Sequence, residues 1–182
     1  DARADILTEP LVTLALSALR IAEDGWDTEE LLRLLKTGLL PGFDAERIAR
    51  LENYVYLWRI RGAAFKEPWD WNPLGLSVRQ DEESARQLAE LNDMRRALAE
   101  PLLRLQSALR AAEMPDGRRF AQSLYRYLLE VGADEAVRRR TAALDEAGEP
   151  ALADRCARLW DLLMDLLGRY AAALGDAALP PA

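Results

Sequence analysis

The chain has 182 residues, half of them apolar and 30% charged, with 31 acidic against 24 basic side chains and a formal charge of -7. It has no histidine and one cysteine. This excludes Ser-His-Asp and Cys-His catalytic units, imidazole metal sites, an internal disulfide and a structural zinc or iron–sulfur centre. From the start, Pro10 at a first-turn position opens a helix in which Leu7, Leu11, Leu14, Ala18 and Ile21 share a face, ending near Gly25. Asp27 with Glu30 is a capping-box pattern ahead of Leu31, Leu32, Leu34 and Leu35, and Lys36-Thr37-Gly38 reads as the stop. Asp44 caps a third helix with Ile48, Leu51, Val55 and Trp58 on one face, and Gly62 lies at or just past its end.

Residues 62–80 break the periodicity with Gly62, Pro68, Pro73 and Gly75, yet Trp69, Trp71, Leu74 and Leu76 are too apolar for a free linker. An aromatic-rich loop laid over the core is expected there, inside a single domain spanning 1–182. A long helix from Asp81 to about Ala112 follows, with Leu88, Leu91, Leu98, Leu102, Leu105 and Leu109 on its seam. Pro101 removes a backbone bond inside it, which predicts a kink or break near Ala99. After the Pro115-Asp116-Gly117 turn come a helix with Phe120, Leu124, Tyr127 and Val131, then a short one capped by Asp134. The last helix begins at Pro150 and carries the most regular heptad, Leu152, Cys156, Leu159, Leu163, Leu166 and Tyr170; residues 176–182 should fray. No β-branched run or alternation occurs. The expected class is all-α, an irregular bundle of about seven helices.

No apolar run is long enough to span a bilayer, and without a basic n-region followed by an apolar h-region at the start no signal peptide is expected. With a single Cys, that pattern fits a reducing cytoplasm and no membrane partner. The Asp1 start suggests a piece of a larger chain or a processed product.

The residues that could carry chemistry are few. Lys36-Thr37 lacks the upstream glycines of a phosphate loop and sits at the wrong end of a helix, so its lysine is expected to satisfy terminal carbonyls. The acidic pairs Glu29-Glu30, Glu82-Glu83 and Asp134-Glu135 fall in first helical turns, where they favour the dipole. The basic groups are more informative. Arg138-Arg139-Arg140, Arg118-Arg119, Arg95-Arg96 and the Arg59, Arg61, Lys66 segment have the bidentate or point charges that grip phosphates. Interleaved Trp58, Phe65, Trp69 and Trp71 could stack bases. Against this stand the acidic balance and acidic partners at helical spacing, Asp134 to Arg138 and Glu135 to Arg139, which favour a solvated, salt-bridged face. Cys156, on the apolar seam, is expected to be a buried small hydrophobe.

Residues 10–66 resemble a segment of the AddB-type subunit of bacterial AddAB helicase–nucleases. The resemblance rests on Pro10-Leu11-Val12, Leu34-Leu35-Lys36-Thr37-Gly38-Leu39, Leu51-Glu52-Asn53-Tyr54-Val55 and Ile60-Arg61-Gly62, in that order. Beyond residue 66 only helical character is shared. Two departures stand out: the family usually has Gly where this chain has Arg59, and commonly Trp near Phe65. The resemblance implies a helical insertion of the second motor domain, the 2B-type subdomain of superfamily 1 helicases, in a parent that processes double-strand DNA ends for recombinational repair. It implies that the ATP site, the nuclease centre and an iron–sulfur cluster lie elsewhere in that parent, so this chain needs no cofactor and no catalytic residue. The implied partners are the parent's motor domains, an AddA-type subunit and duplex DNA. Arg59, Arg61 and Lys66 are the first DNA-contact candidates, with Arg138, Arg139 and Arg140 behind them. The alternative is a protein-interaction module that docks on the partner subunit without touching DNA.

Overall fold

The computed structural model describes residues 6–111 and 117–174. Among them are seven α-helices and no strand: α1 (Pro10–Asp24), α2 (Thr28–Leu35), α3 (Ala45–Leu57), α4 (Glu82–Arg110), α5 (Gly117–Glu130), α6 (Ala133–Glu146) and α7 (Pro150–Leu174). The all-α class expected from the periodicity is therefore the observed one. The fraying expected at 176–182 concerns residues outside those described. No helix among the described residues is long and apolar enough to cross a membrane.

Local chemistry sets most helix starts. Asp27 accepts from the Glu29 and Glu30 amides, Asp44 from Arg47, and Asp81 forms a reciprocal capping box with Ser84. The Ser84 amide holds the Asp81 carboxyl below its ordinary pKa. Glu30 does not complete the box predicted with Asp27. Its carboxylate accepts instead from the buried Ser17 hydroxyl at 2.8 Å and from Arg20 and Arg33, tying α2 to α1. The stop of α2 also differs in detail. The Thr37 hydroxyl, not the Lys36 side chain, bonds a terminal carbonyl, that of Leu34 at 2.7 Å, while the Lys36 ammonium reaches Glu52 on α3.

The core joins all the helices. α1 packs on α2 and α4, α4 on α5, and both α5 and α6 on α7. Leu14, Leu34, Leu102 and Leu128, from four different helices, are wholly buried in it. Pro101 does not break α4, which is continuous from Glu82 to Arg110. Leu98, Ala99, Pro101 and Leu102 are all buried there, and this packing holds the helix across the missing amide donor.

Gly132, between α5 and α6, has φ 70°, and a Cβ on it would meet Pro41 Cγ at 3.1 Å. Gly132→Ala should therefore lower stability by about 1–2 kcal/mol, from left-handed strain and the Pro41 contact, readable as a lower thermal midpoint.

The seam predicted on α7 is only half right. The helix turns Ala153 and Leu167 fully inward and half-buries Cys156, Trp160, Leu163, Met164 and Tyr170. Leu152, Leu162 and Leu166 are exposed. At about 100° per residue the buried line lies about 60° around the helix from the predicted one. The apolar arc is wider than its neighbours cover, and the heptad pattern marks its middle rather than its buried edge. Cys156 is half-buried rather than fully buried for the same reason.

Candidate nucleic-acid interface

The basic segment after α3 is shaped by an unusual helix end. The Ile60 amide bonds the Val55 carbonyl at 2.9 Å and the Arg59 amide bonds that of Tyr56, with Ile60 and Val55 both buried. This is a Schellman closure, which needs a left-handed residue at the position of Arg59. Arg59 supplies it with φ 51°, a geometry that glycine takes without cost. The glycine that the resemblance implies at this position would fit the same turn, and arginine here keeps the backbone geometry a glycine would prefer. Trp26 on the facing turn is also left-handed, φ 71°, and its carbonyl accepts from the Gly62 amide. The Thr28 hydroxyl donates to the Ile60 carbonyl at 3.0 Å, locking the two turns together.

A groove opens between these turns, lined by Asp27, Glu29, Tyr56, Arg59 and Arg61 among others. Arg59 and Arg61 are exposed, and neither makes an ion pair among the described residues. Lys66 is placed differently. Its ammonium donates to Gln106 on α4 at 3.2 Å and lies 5.2 Å from the centroid of the buried Trp26 ring. It is held against the bundle by a hydrogen bond and a cation–π contact.

Arg138 and Arg139 pair with Asp134 at 2.6 Å and Glu135 at 3.7 Å, the partners expected from the spacing. Arg140 makes no ion pair among the described residues and sits at the rim of an apolar cleft with Leu144, Leu152 and Cys156. Of the predicted candidates, the fold thus brings Arg59 and Arg61 together on one groove, and sets Arg138, Arg139 and Arg140 on α6.

Arg95, from a pair considered as a phosphate grip, is buried. Its guanidinium donates to the Phe65 and Lys66 carbonyls and to Asn92, all at 3.3 Å, and burial lowers its pKa. Sequence reasoning missed this structural role, because the carbonyls it serves lie some thirty residues away along the chain. Asn92 extends the clamp: it accepts from the Trp69 amide and donates to the Trp69 carbonyl, both at 2.8 Å. Trp69 is buried, stacks on Tyr54 at 5.1 Å and meets the Phe65 ring edge-on. The Tyr54 hydroxyl, its pKa pushed up to about 12 by burial with Asp70 adding to it, remains a donor to the Trp71 carbonyl at neutral pH. These bonds fix the backbone from Phe65 to Trp71.

Arg59→Gly separates strain from charge. It should raise stability by about 0.5–1 kcal/mol, since a non-glycine left-handed residue costs about 1–2 kcal/mol and glycine returns part of that as unfolded-state entropy. The check is the thermal midpoint of the purified variant.

No family model matches the chain. It is similar to proteins named as the B subunits of ATP-dependent helicase/deoxyribonucleases. That of Ruminiclostridium cellulolyticum is 32% identical over 184 residues, covering 97% of this chain and 15% of the relative. The Acetivibrio thermocellus protein is 31% identical over 97% of the chain and 15% of its own length. For Geobacillus kaustophilus the values are 33%, 99% and 16%. The similarity is thus not confined to residues 10–66, as the motifs alone suggest, but runs through the helices after the loop. The chain spans about 15% of the length of these curated relatives. It is a relative, nearly end to end, of one segment of the AddB-type proteins, the B subunits of ATP-dependent helicase/deoxyribonucleases.

Proposed function

We propose that this chain is a non-catalytic helical domain of a DNA helicase–nuclease subunit acting in double-strand break repair in the cytoplasm, and that it touches duplex DNA through Arg59 and Arg61. The observation that carries the reading is the pair of exposed, unpaired guanidinium groups held on one rigid groove. The relatives' printed name, a helicase and deoxyribonuclease subunit, supplies the substrate class. A 2B-type insertion packed against motor domains of the same polypeptide, with an AddA-type subunit in the complex, is the setting this function requires.

With a formal charge of -7, the isolated chain has no broad basic field, so binding should depend on a few phosphate contacts and weaken steeply with salt. Lys66 is left out of the contact set because its charge is already engaged by Gln106 and Trp26. The test is a salt titration of labelled duplex by the chain and by an Arg59→Gln/Arg61→Gln double variant. Two lost phosphate contacts should reduce the slope of log affinity against log salt by about 2. An unchanged slope, or no binding by the native chain at low salt, sinks the proposal.

A further inference from the structure

Directly before Arg59 in the chain stands Trp58, part of a second feature that phosphate contact does not use. Trp58 and Trp71 stack face to face, ring centroids 5.9 Å apart and planes inclined by 20°. Trp58 is half-buried and donates from its indole nitrogen to the Asn72 carbonyl at 3.2 Å. Trp71 is held by the Tyr54 bond to its carbonyl, yet it remains 40% exposed. A large aromatic surface left in solvent while its backbone is pinned contrasts with Trp69 two residues earlier, which the same loop buries fully. The Asn72 side chain donates to the Val78 carbonyl at 2.7 Å and accepts from the Leu74 amide, folding the loop back on itself. That fold places Arg79, exposed and without an ion pair among the described residues, after the segment closed on Asn72. Arg59 follows Trp58 directly in the chain. Guanidinium groups thus flank the tryptophan pair along the chain, Arg59 directly after Trp58 and Arg79 in the loop after Trp71.

We propose that Trp71, backed by Trp58, is a stacking platform for an unpaired base of a single DNA strand, with Arg59, Arg61 and Arg79 taking the flanking phosphates. The proposal rests on the DNA reading above and adds the ligand class: a strand with free bases, not only a duplex. A rigid ring pair suits this work because every base has a π face, so stacking is tolerant of sequence, and the cationic flanks follow the backbone. The acidic neighbours Asp70 and Glu67 repel the strand, so affinity depends on the stack, while the arginine–phosphate contacts make it weaken with salt.

The experiment follows tryptophan emission and anisotropy as the chain is titrated with an oligothymidylate of about 15 nucleotides, the scale of one single-strand site, and separately with a blunt duplex of the same length. Trp71→Ala should lose about 10-fold in affinity for the oligothymidylate, as expected for one stacked base, and keep its duplex affinity. Trp71→Phe, which retains a ring and the fold, should lose less. Equal oligothymidylate binding by the native chain and Trp71→Ala overturns the proposal, as does an equal loss on both ligands, which would mark a structural role. Duplex binding with no binding of the oligothymidylate overturns the stacking platform and leaves the arginine contacts standing. Failure to bind either ligand removes both readings and leaves the strip Trp71, Leu74, Leu76 and Val78 as a surface for protein.

Discussion

Trp69→Ala should cost about 3–5 kcal/mol of stability, the largest effect expected of any substitution in the loop. The side chain is buried, so truncation leaves a large cavity among Tyr54, Phe65 and α4. It also removes the indole bond to the Ala64 carbonyl at 2.8 Å and strands that acceptor. For a chain of this length each kcal/mol moves the thermal midpoint by about 2–4 °C, so a fall of about 10 °C is expected by calorimetry. A midpoint within a degree or two of the native value would mean that the loop does not lean on the core through this ring.

Arg95→Met should cost about 2–3 kcal/mol, by a different route. The methionine fills much of the same space, but the Phe65 and Lys66 carbonyls and Asn92 Oδ1 lose a charged donor. Truncating one side of a buried polar cluster leaves desolvated groups without partners, and the penalty falls on the loop they belong to. Limited proteolysis should therefore cut the variant within residues 66–80 faster than the native chain, alongside the lower midpoint. Loss of stability without faster cleavage there would separate Arg95 from the loop and assign its bonds to α4 alone.

What the sequence disclosed about this fold depended on how local the signal was. The Asp27, Asp44 and Asp81 starts were legible because a cap is a matter of three or four consecutive residues. The pairing of Arg138 and Arg139 with Asp134 and Glu135 was legible for the same reason. The orientation of α7 was not, because an apolar arc spread around half a helix does not say which edge its neighbours cover. Lys66 groups with Arg59 and Arg61 by proximity in the chain, whereas its partners are Gln106, forty residues on, and the Trp26 ring. The left-handed turn at Arg59 carried one trace in the sequence: the family resemblance puts glycine there, the residue for which that geometry is free. The loop clamp built by Arg95 and Asn92 left none, since a buried arginine on an otherwise charged helix face looks like any solvated one.

The central claim is that DNA meets this domain at the turn after α3, not at the arginine run of α6. Arg138 and Arg139 are held in exposed i,i+4 ion pairs and offer little net charge to a phosphate. Arg140, without an ion pair among the described residues, stands alone at an apolar cleft, so neutralising α6 should remove at most one phosphate contact. The deciding measurement is the low-salt affinity of a labelled duplex for two variants, Arg59→Gln/Arg61→Gln and Arg138→Gln/Arg139→Gln/Arg140→Gln. Loss of binding in the first, with the second close to the native chain, is the predicted result. Native binding by the first, or loss confined to the second, would contradict the account.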